Sequence, residues 1–182
     1  MIYTCVDIFT RISPVLLLLY TALNALLYSN YSWLFITLLV SEILNFILKE
    51  IVFRSILGTD GKLVLFGAGA RPTTVTYNSN VLYATVTPCA KNHCNTYGMP
   101  SGHAQSVAVF STFMSMVVWN TYKSIPKKMM IISILIFFSI IVMYSRIAWT
   151  KCHTRGQVVM GALIGCLIGS VSYVMHLNTF MQ

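Results

Sequence analysis

The stretch Tyr97-Gly98-Met99-Pro100-Ser101-Gly102-His103-Ala104-Gln105 stands between a polar, glycine-rich loop and an uncharged apolar run that reaches Asn120. Proline is favoured in a first helical turn and serine at a helix cap, so the stretch predicts a helix over about 101–120. Gly102 lets an anion approach the backbone N–H groups that such a start leaves unpaired. His103 then falls in the first turn, where an imidazole can give a proton to a leaving oxygen. A capped helix start with an incidental histidine fits the same residues equally well.

Outside that stretch the chain is strongly apolar. Of 182 residues, 57% are hydrophobic and only 9% charged, with a mean hydropathy of +0.75. Charged residues make up about a quarter of an ordinary soluble domain, so a cytosolic globule, a disordered chain and a nucleic-acid-binding module are excluded. The formal charge of +8 suits a lipid surface and anionic substrates better than nucleic acid. Five cysteines without a C-x-x-C pair indicate neither a disulfide framework nor a zinc ribbon. Cys89 and Cys94 share one loop, where a bridge and free thiols both remain open, and His93 beside them matches no zinc spacing. The N-terminal run has no small-residue cleavage pattern and reads as a retained anchor.

A spanning helix needs roughly 20 apolar residues, and the charges bound five such runs, at about 12–28, 32–53, 101–120, 129–149 and 156–176. Residues 54–99, rich in Gly, Pro, Thr and Asn, form a long loop with a short interfacial piece near 63–66. Five spans put the N-terminus, this loop and residues 147–155 on one face, with Arg11, Lys49, Lys62, Arg71, Arg146 and other cations. The opposite face holds only Lys123, Lys127 and Lys128, and which of the two faces is cytoplasmic stays open.

Three polar segments therefore converge where the bilayer ends: Arg71-Pro72, the stretch around His103, and Tyr144-Ser145-Arg146 followed by His153 and Gln157. An imidazole at His153 could attack phosphorus while Arg71 and Arg146 neutralise its nonbridging oxygens. Gln157, four residues on, can accept the imidazole N–H and set its tautomer. Lys151 and Arg155 are better read as cations reaching for headgroups. Gly161, Gly165 and Gly169 recur every four residues, a packing stripe for another helix. Glu42 is expected to be buried with a partner or near the pocket, and His176 to be interfacial.

These residues resemble the type 2 phosphatidic acid phosphatase superfamily, whose three motifs read roughly Lys-x6-Arg-Pro, Pro-Ser-Gly-His and Ser-Arg-x5-His-x3-Asp. The likeness covers about 42–169, and the second motif matches in full at Pro100-Ser101-Gly102-His103. Gly98 to Gln105, Tyr144-Ser145-Arg146 and His153-Thr154-Arg155-Gly156-Gln157 are most similar to the dolichyldiphosphatase branch, where Gln replaces the final Asp. Two spacings depart from the pattern. Six residues separate Arg146 from His153, and eight separate Lys62 from Arg71. Asn45-Phe46-Ile47-Leu48-Lys49 resembles the helix leading into the first motif, which favours Lys49 over Lys62 as its lysine.

The resemblance implies an all-α fold, an integral membrane bundle of about five transmembrane helices, as one domain over 1–182. It implies that His153 is the nucleophile that forms a phosphohistidine and that His103 protonates the departing group. Lys49 or Lys62, Arg71, Arg146 and the Ser101-Gly102 backbone would hold the phosphoryl oxygens, with Gln157 orienting His153. No metal or other cofactor is called for, because cations and a helix terminus take the part that magnesium plays elsewhere. The expected activity is a metal-independent membrane phosphatase acting on a lipid carrier, foremost a polyprenyl (dolichyl-type) diphosphate. Its expected place is the endoplasmic reticulum or a related endomembrane. Phosphatidic acid or another lipid phosphate is the alternative substrate, and a catalytically silent lipid-binding protein is the alternative of another class. No nucleic-acid partner is expected, and a homo-oligomer is left open.

Overall fold

In the computed structural model the described residues are 2–57, Gly69, 97–150 and 152–180. Five long helices dominate them: α1 (Ile2–Ala25), α2 (Ser29–Ile47), α3 (Gly102–Thr121), α4 (Ile125–Tyr144) and α5 (Arg155–Phe180). A wider π turn, Leu48–Phe53, prolongs α2 and leads into a short helical turn, Arg54–Leu57; a second, Ser145–Trp149, prolongs α4. Three described segments are long and apolar enough to cross a membrane: Ile8–Ala25, Ile125–Trp149 and Arg155–Thr179. The fold is thus an all-helical bundle of integral membrane character.

The centre of the bundle is α3, and its tightest seam is with α5. Gly161, Gly165 and Gly169 face the backbone carbonyls of Ser101, Gln105 and Val109 so closely that an added Cβ would lie 2.4, 2.4 and 2.8 Å from those oxygens. Small residues every four positions form a flat stripe on a helix, and here that stripe carries the α3 backbone. Hydrogen bonds join the other helices. Ser111 and Ser139 hydroxyls meet at 2.6 Å between α3 and α4, and Trp33 Nε1 donates to the Ser172 carbonyl at 2.9 Å between α2 and α5.

The structure differs from the expected spans at several points. The first helix begins at Ile2, so Arg11 and Pro14 lie inside it. Proline removes the ladder bond to the carbonyl four residues back, and Ser13 Oγ takes that Thr10 carbonyl at 2.9 Å. Pro100 stands outside α3, after a cis Met99–Pro100 peptide bond. Ser101 occupies the N-cap in an extended conformation, but its hydroxyl makes no capping bond. His176 is buried within the bundle, where it bonds Asn30 and lies among the rings of Trp33, Phe113 and Tyr173.

Candidate active site

The α3–α5 seam brings the second and third motif segments to one end of the bundle. Ser101 N–H donates to the Gln157 carbonyl at 3.0 Å, which ties the start of α3 to the first turn of α5. Within that turn Gln157 Oε1 lies 3.1 Å from His153 Nδ1 and accepts the Thr154 N–H at 3.2 Å. Its amide nitrogen donates to the Gly69 carbonyl at 3.1 Å. A backbone N–H can only donate and a carbonyl can only accept, so both neighbours support this orientation of the amide. His153 Nδ1 is then the protonated nitrogen, and the neutral ring carries its lone pair on Nε2. His153 is 4% exposed and Gln157 is fully buried.

Arg146 occupies the second π turn and is 1% exposed. Its carbonyl accepts the His153 N–H at 3.3 Å and the Thr150 hydroxyl at 3.3 Å, while the Thr150 N–H closes the π turn on the Ser145 carbonyl at 2.9 Å. A π turn holds one residue more than an α turn before its hydrogen bond closes. Six residues separate Arg146 from His153, and across this turn their backbones still meet.

The first π turn carries Lys49. One turn earlier, Asn45 Nδ2 donates to Gln105 Oε1 at 2.8 Å, and its Oδ1 would lie 3.2 Å from a Cβ on Gly102. Gln105 Nε2 reaches the Ser41 carbonyl and hydroxyl, each at 2.8 Å, and Ser106 Oγ bonds Glu42, so Glu42 is partnered against α3. Tyr97 Oη donates to the Phe53 carbonyl at 2.8 Å, and burial pushes its phenol above the ordinary tyrosine range. These bonds register the Lys49 turn to the start of α3. Arg71 and Lys62, like His93, Cys89 and Cys94, lie outside the described residues.

At the start of α3, Ser101 is fully buried and its hydroxyl has no hydrogen-bond partner among the described residues. His103 Nε2 lies 2.7 Å from the Arg11 carbonyl of α1. Both candidate histidines thus sit at the same end of the bundle. Several contributors were not singled out from sequence: the Arg11 carbonyl, the two π turns, and Gly69. Gly69 adopts φ 115°, open to glycine without strain, and its carbonyl receives both Gly98 N–H at 2.8 Å and Gln157. Gly98 has no room for a side chain, since a Cβ there would lie 2.6 Å from Gln157 Oε1. The only sequence signal for Gly69 was the glycine content of the long loop. Among the described residues no group of three His, Cys, Asp or Glu is placed to hold a metal ion.

No curated protein and no solved structure matches the chain. The family model of the PAP2 superfamily does match, over residues 30–181, which takes in the described parts of all three motif segments. The chain therefore belongs to the PAP2 superfamily, and its apolar helices and phosphatase kinship make it a membrane hydrolase of the lipid phosphatase kind.

Proposed function

We propose that the protein removes a phosphate from the headgroup of a lipid carrier, foremost a polyprenyl (dolichyl-type) diphosphate, through a phosphohistidine on His153. The contact that carries this proposal is Gln157 Oε1 on His153 Nδ1 at 3.1 Å. It leaves the lone pair on Nε2, as a nucleophilic imidazole requires. In the first step Nε2 bonds to phosphorus, the bond to the leaving oxygen breaks, and His103 gives that oxygen its proton. In the second, water attacks the P–N bond, His103 takes the proton, and phosphate leaves with His153 restored.

Arg146, Lys49, Arg71 and the Ser101-Gly102 backbone are assigned to the nonbridging oxygens, where positive charge and N–H donors offset the charge that develops. The buried Ser101 hydroxyl supports a further bond to a phosphoryl oxygen. A lipid tail is favoured because the site lies at the end of helices whose outer faces, such as Phe137 and Leu163, are apolar and exposed. The substrate's chain can stay in the bilayer while its headgroup enters. We assign residues 1–182 to one membrane-embedded domain, and the endoplasmic reticulum follows from the dolichyl-type substrate.

Detergent-purified protein should release phosphate from polyprenyl diphosphate with a chelator present, and faster than from polyprenyl phosphate, phosphatidic acid or glucose 6-phosphate. His153→Ala should lower kcat on the order of a million-fold, the scale seen when a catalytic nucleophile is removed. Unchanged turnover in that variant would rule His153 out as nucleophile, and a preference for phosphatidic acid would move the substrate assignment.

A further inference from the structure

A contact at the site from outside the family-matched residues is made by α1, which ends at Ala25, before the match begins at residue 30. From the geometry, and resting on the reaction proposed above, we infer that α1 is a positioning element of the active site. Its Arg11 carbonyl holds the Nε2–H of His103, so the proton passes to the leaving group from Nδ1.

A peptide carbonyl has no proton to give, so a ring nitrogen 2.7 Å from it must be the N–H donor in every protonation state. When His103 is an imidazolium, both nitrogens carry protons. The Nδ1 proton moves to the leaving oxygen as the P–O bond breaks, and the neutral ring that remains keeps Nε2–H on the carbonyl and a lone pair on Nδ1. That lone pair accepts the proton of the attacking water in the second step, so one nitrogen serves both transfers and the ring need not turn.

The position of the carbonyl is built into the helix. Pro14 leaves this turn one ladder bond short, and the Ser13 hydroxyl donates to the Thr10 carbonyl that would have accepted it. Thr10, Arg11 and Ser13 are all buried, and α1 packs against both α3 and the π turn of Arg146. The charged side chains and imidazoles at this end of the surrounding elements are Asp7 and Arg11 on α1, Glu42 on α2, Lys49 and Glu50 on its π turn, Arg146 on the second π turn, His153 before α5 and Arg155 at its start. A bond to a carbonyl is stronger from an imidazolium than from the neutral ring, so the Arg11 carbonyl acts most on the protonated acid.

The test weakens this one acceptor and leaves every side chain in place. Replacing Ile12 by its α-hydroxy acid turns the Arg11 carbonyl into an ester carbonyl, a poorer acceptor. The same exchange at Leu16 alters the Val15 carbonyl and controls for the lost helix bond. The Ile12 ester should lower kcat about three- to tenfold, the scale of one hydrogen bond, with KM unchanged. Because the lost bond favoured the charged ring, the limb of the pH profile that belongs to His103 should move to lower pH. The Leu16 ester should do neither, and in a His103→Ala background the Ile12 ester should cost nothing further.

Nitrogen NMR of imidazole-labelled protein reads the contact without turnover: His103 should be the Nε2–H tautomer, and only the Ile12 ester should shift that nitrogen. Equal kinetic losses from the two esters, or an Nδ1–H tautomer in the parent, would overturn the inference. A parent inert toward every lipid phosphate, yet with the Nε2–H signal responding to the Ile12 ester, would sink the proposed reaction and leave the α1 contact standing.

Discussion

Helices α3 and α4 are both 20 residues long, yet the more apolar of them lies outside. From Met129 to Met143 the sequence of α4 is interrupted only by Ser133 and Ser139, and Ser139 and Val142 are its only buried residues. Ten residues of α3 are buried, Gln105, Ser106 and Ser111 among them. In water the opposite order would hold. Lipid tails solvate Ile and Phe as well as a protein interior does, so what draws helices together in a membrane is close packing and hydrogen bonding between polar groups. Polar and small residues therefore mark the inside of this bundle, and the polar side of α3 leads directly to the site.

The widest separation between the two helices should come from Gly165→Val. The added Cβ would sit 2.4 Å from the Gln105 carbonyl and 2.7 Å from the Ala108 Cβ, so α3 and α5 must move apart. A loss of about 3 kcal/mol or more is expected, as for overpacking of a rigid interior. Size-exclusion and thermal melting in detergent would register it, and a wild-type melt would mean that the seam is not where these contacts put it. A smaller effect, on activity more than on folding, is expected from Gln157→Ala. Without the acceptor on His153 Nδ1 the ring loses its fixed tautomer, and kcat should fall about a hundredfold, within the range of acid–base positioning. Phosphate release against substrate concentration checks this, since a change confined to KM would assign Gln157 to binding alone.

Gln105→Leu sharpens the comparison within α3 itself. It removes the bonds to Asn45 and Ser41 and leaves those buried groups unsatisfied, at a cost of about 1–3 kcal/mol. Asn45 lies one turn before Lys49, so substrate affinity should weaken together with the melting temperature. Phe137→Leu on α4 is the mildest change. Phe137 is 64% exposed to the bilayer side, so stability should stay within about 0.5 kcal/mol and activity should not change. A large effect there would mean that α4 is covered by another surface.

Much of this architecture was legible beforehand. Lys123 marks the break between the apolar runs of α3 and α4, and the four-residue glycine repeat of α5 announces a close helix neighbour, because both signals are local in sequence. His103, Arg146, His153 and Gln157 were assigned to one end by the same counting, and the described bonds bring their segments together there. The two π turns were not legible. An α and a π turn differ by a single residue, and apolar periodicity does not resolve one residue at a helix end. Nor did the sequence reveal Gly69 or the Arg11 carbonyl, since each acts through its backbone, and a backbone acceptor leaves no mark on residue type.

Composition and order along the chain were enough to determine a helical membrane bundle and the family of its motifs, because hydropathy and motif spacing are properties of the chain alone. Only the tertiary structure decided which helix lies at the centre, that α2 and α4 end in π turns, and which ring nitrogens of His103 and His153 are held. Those depend on where one backbone oxygen lies relative to a ring from a distant helix, a distance set by packing between helices.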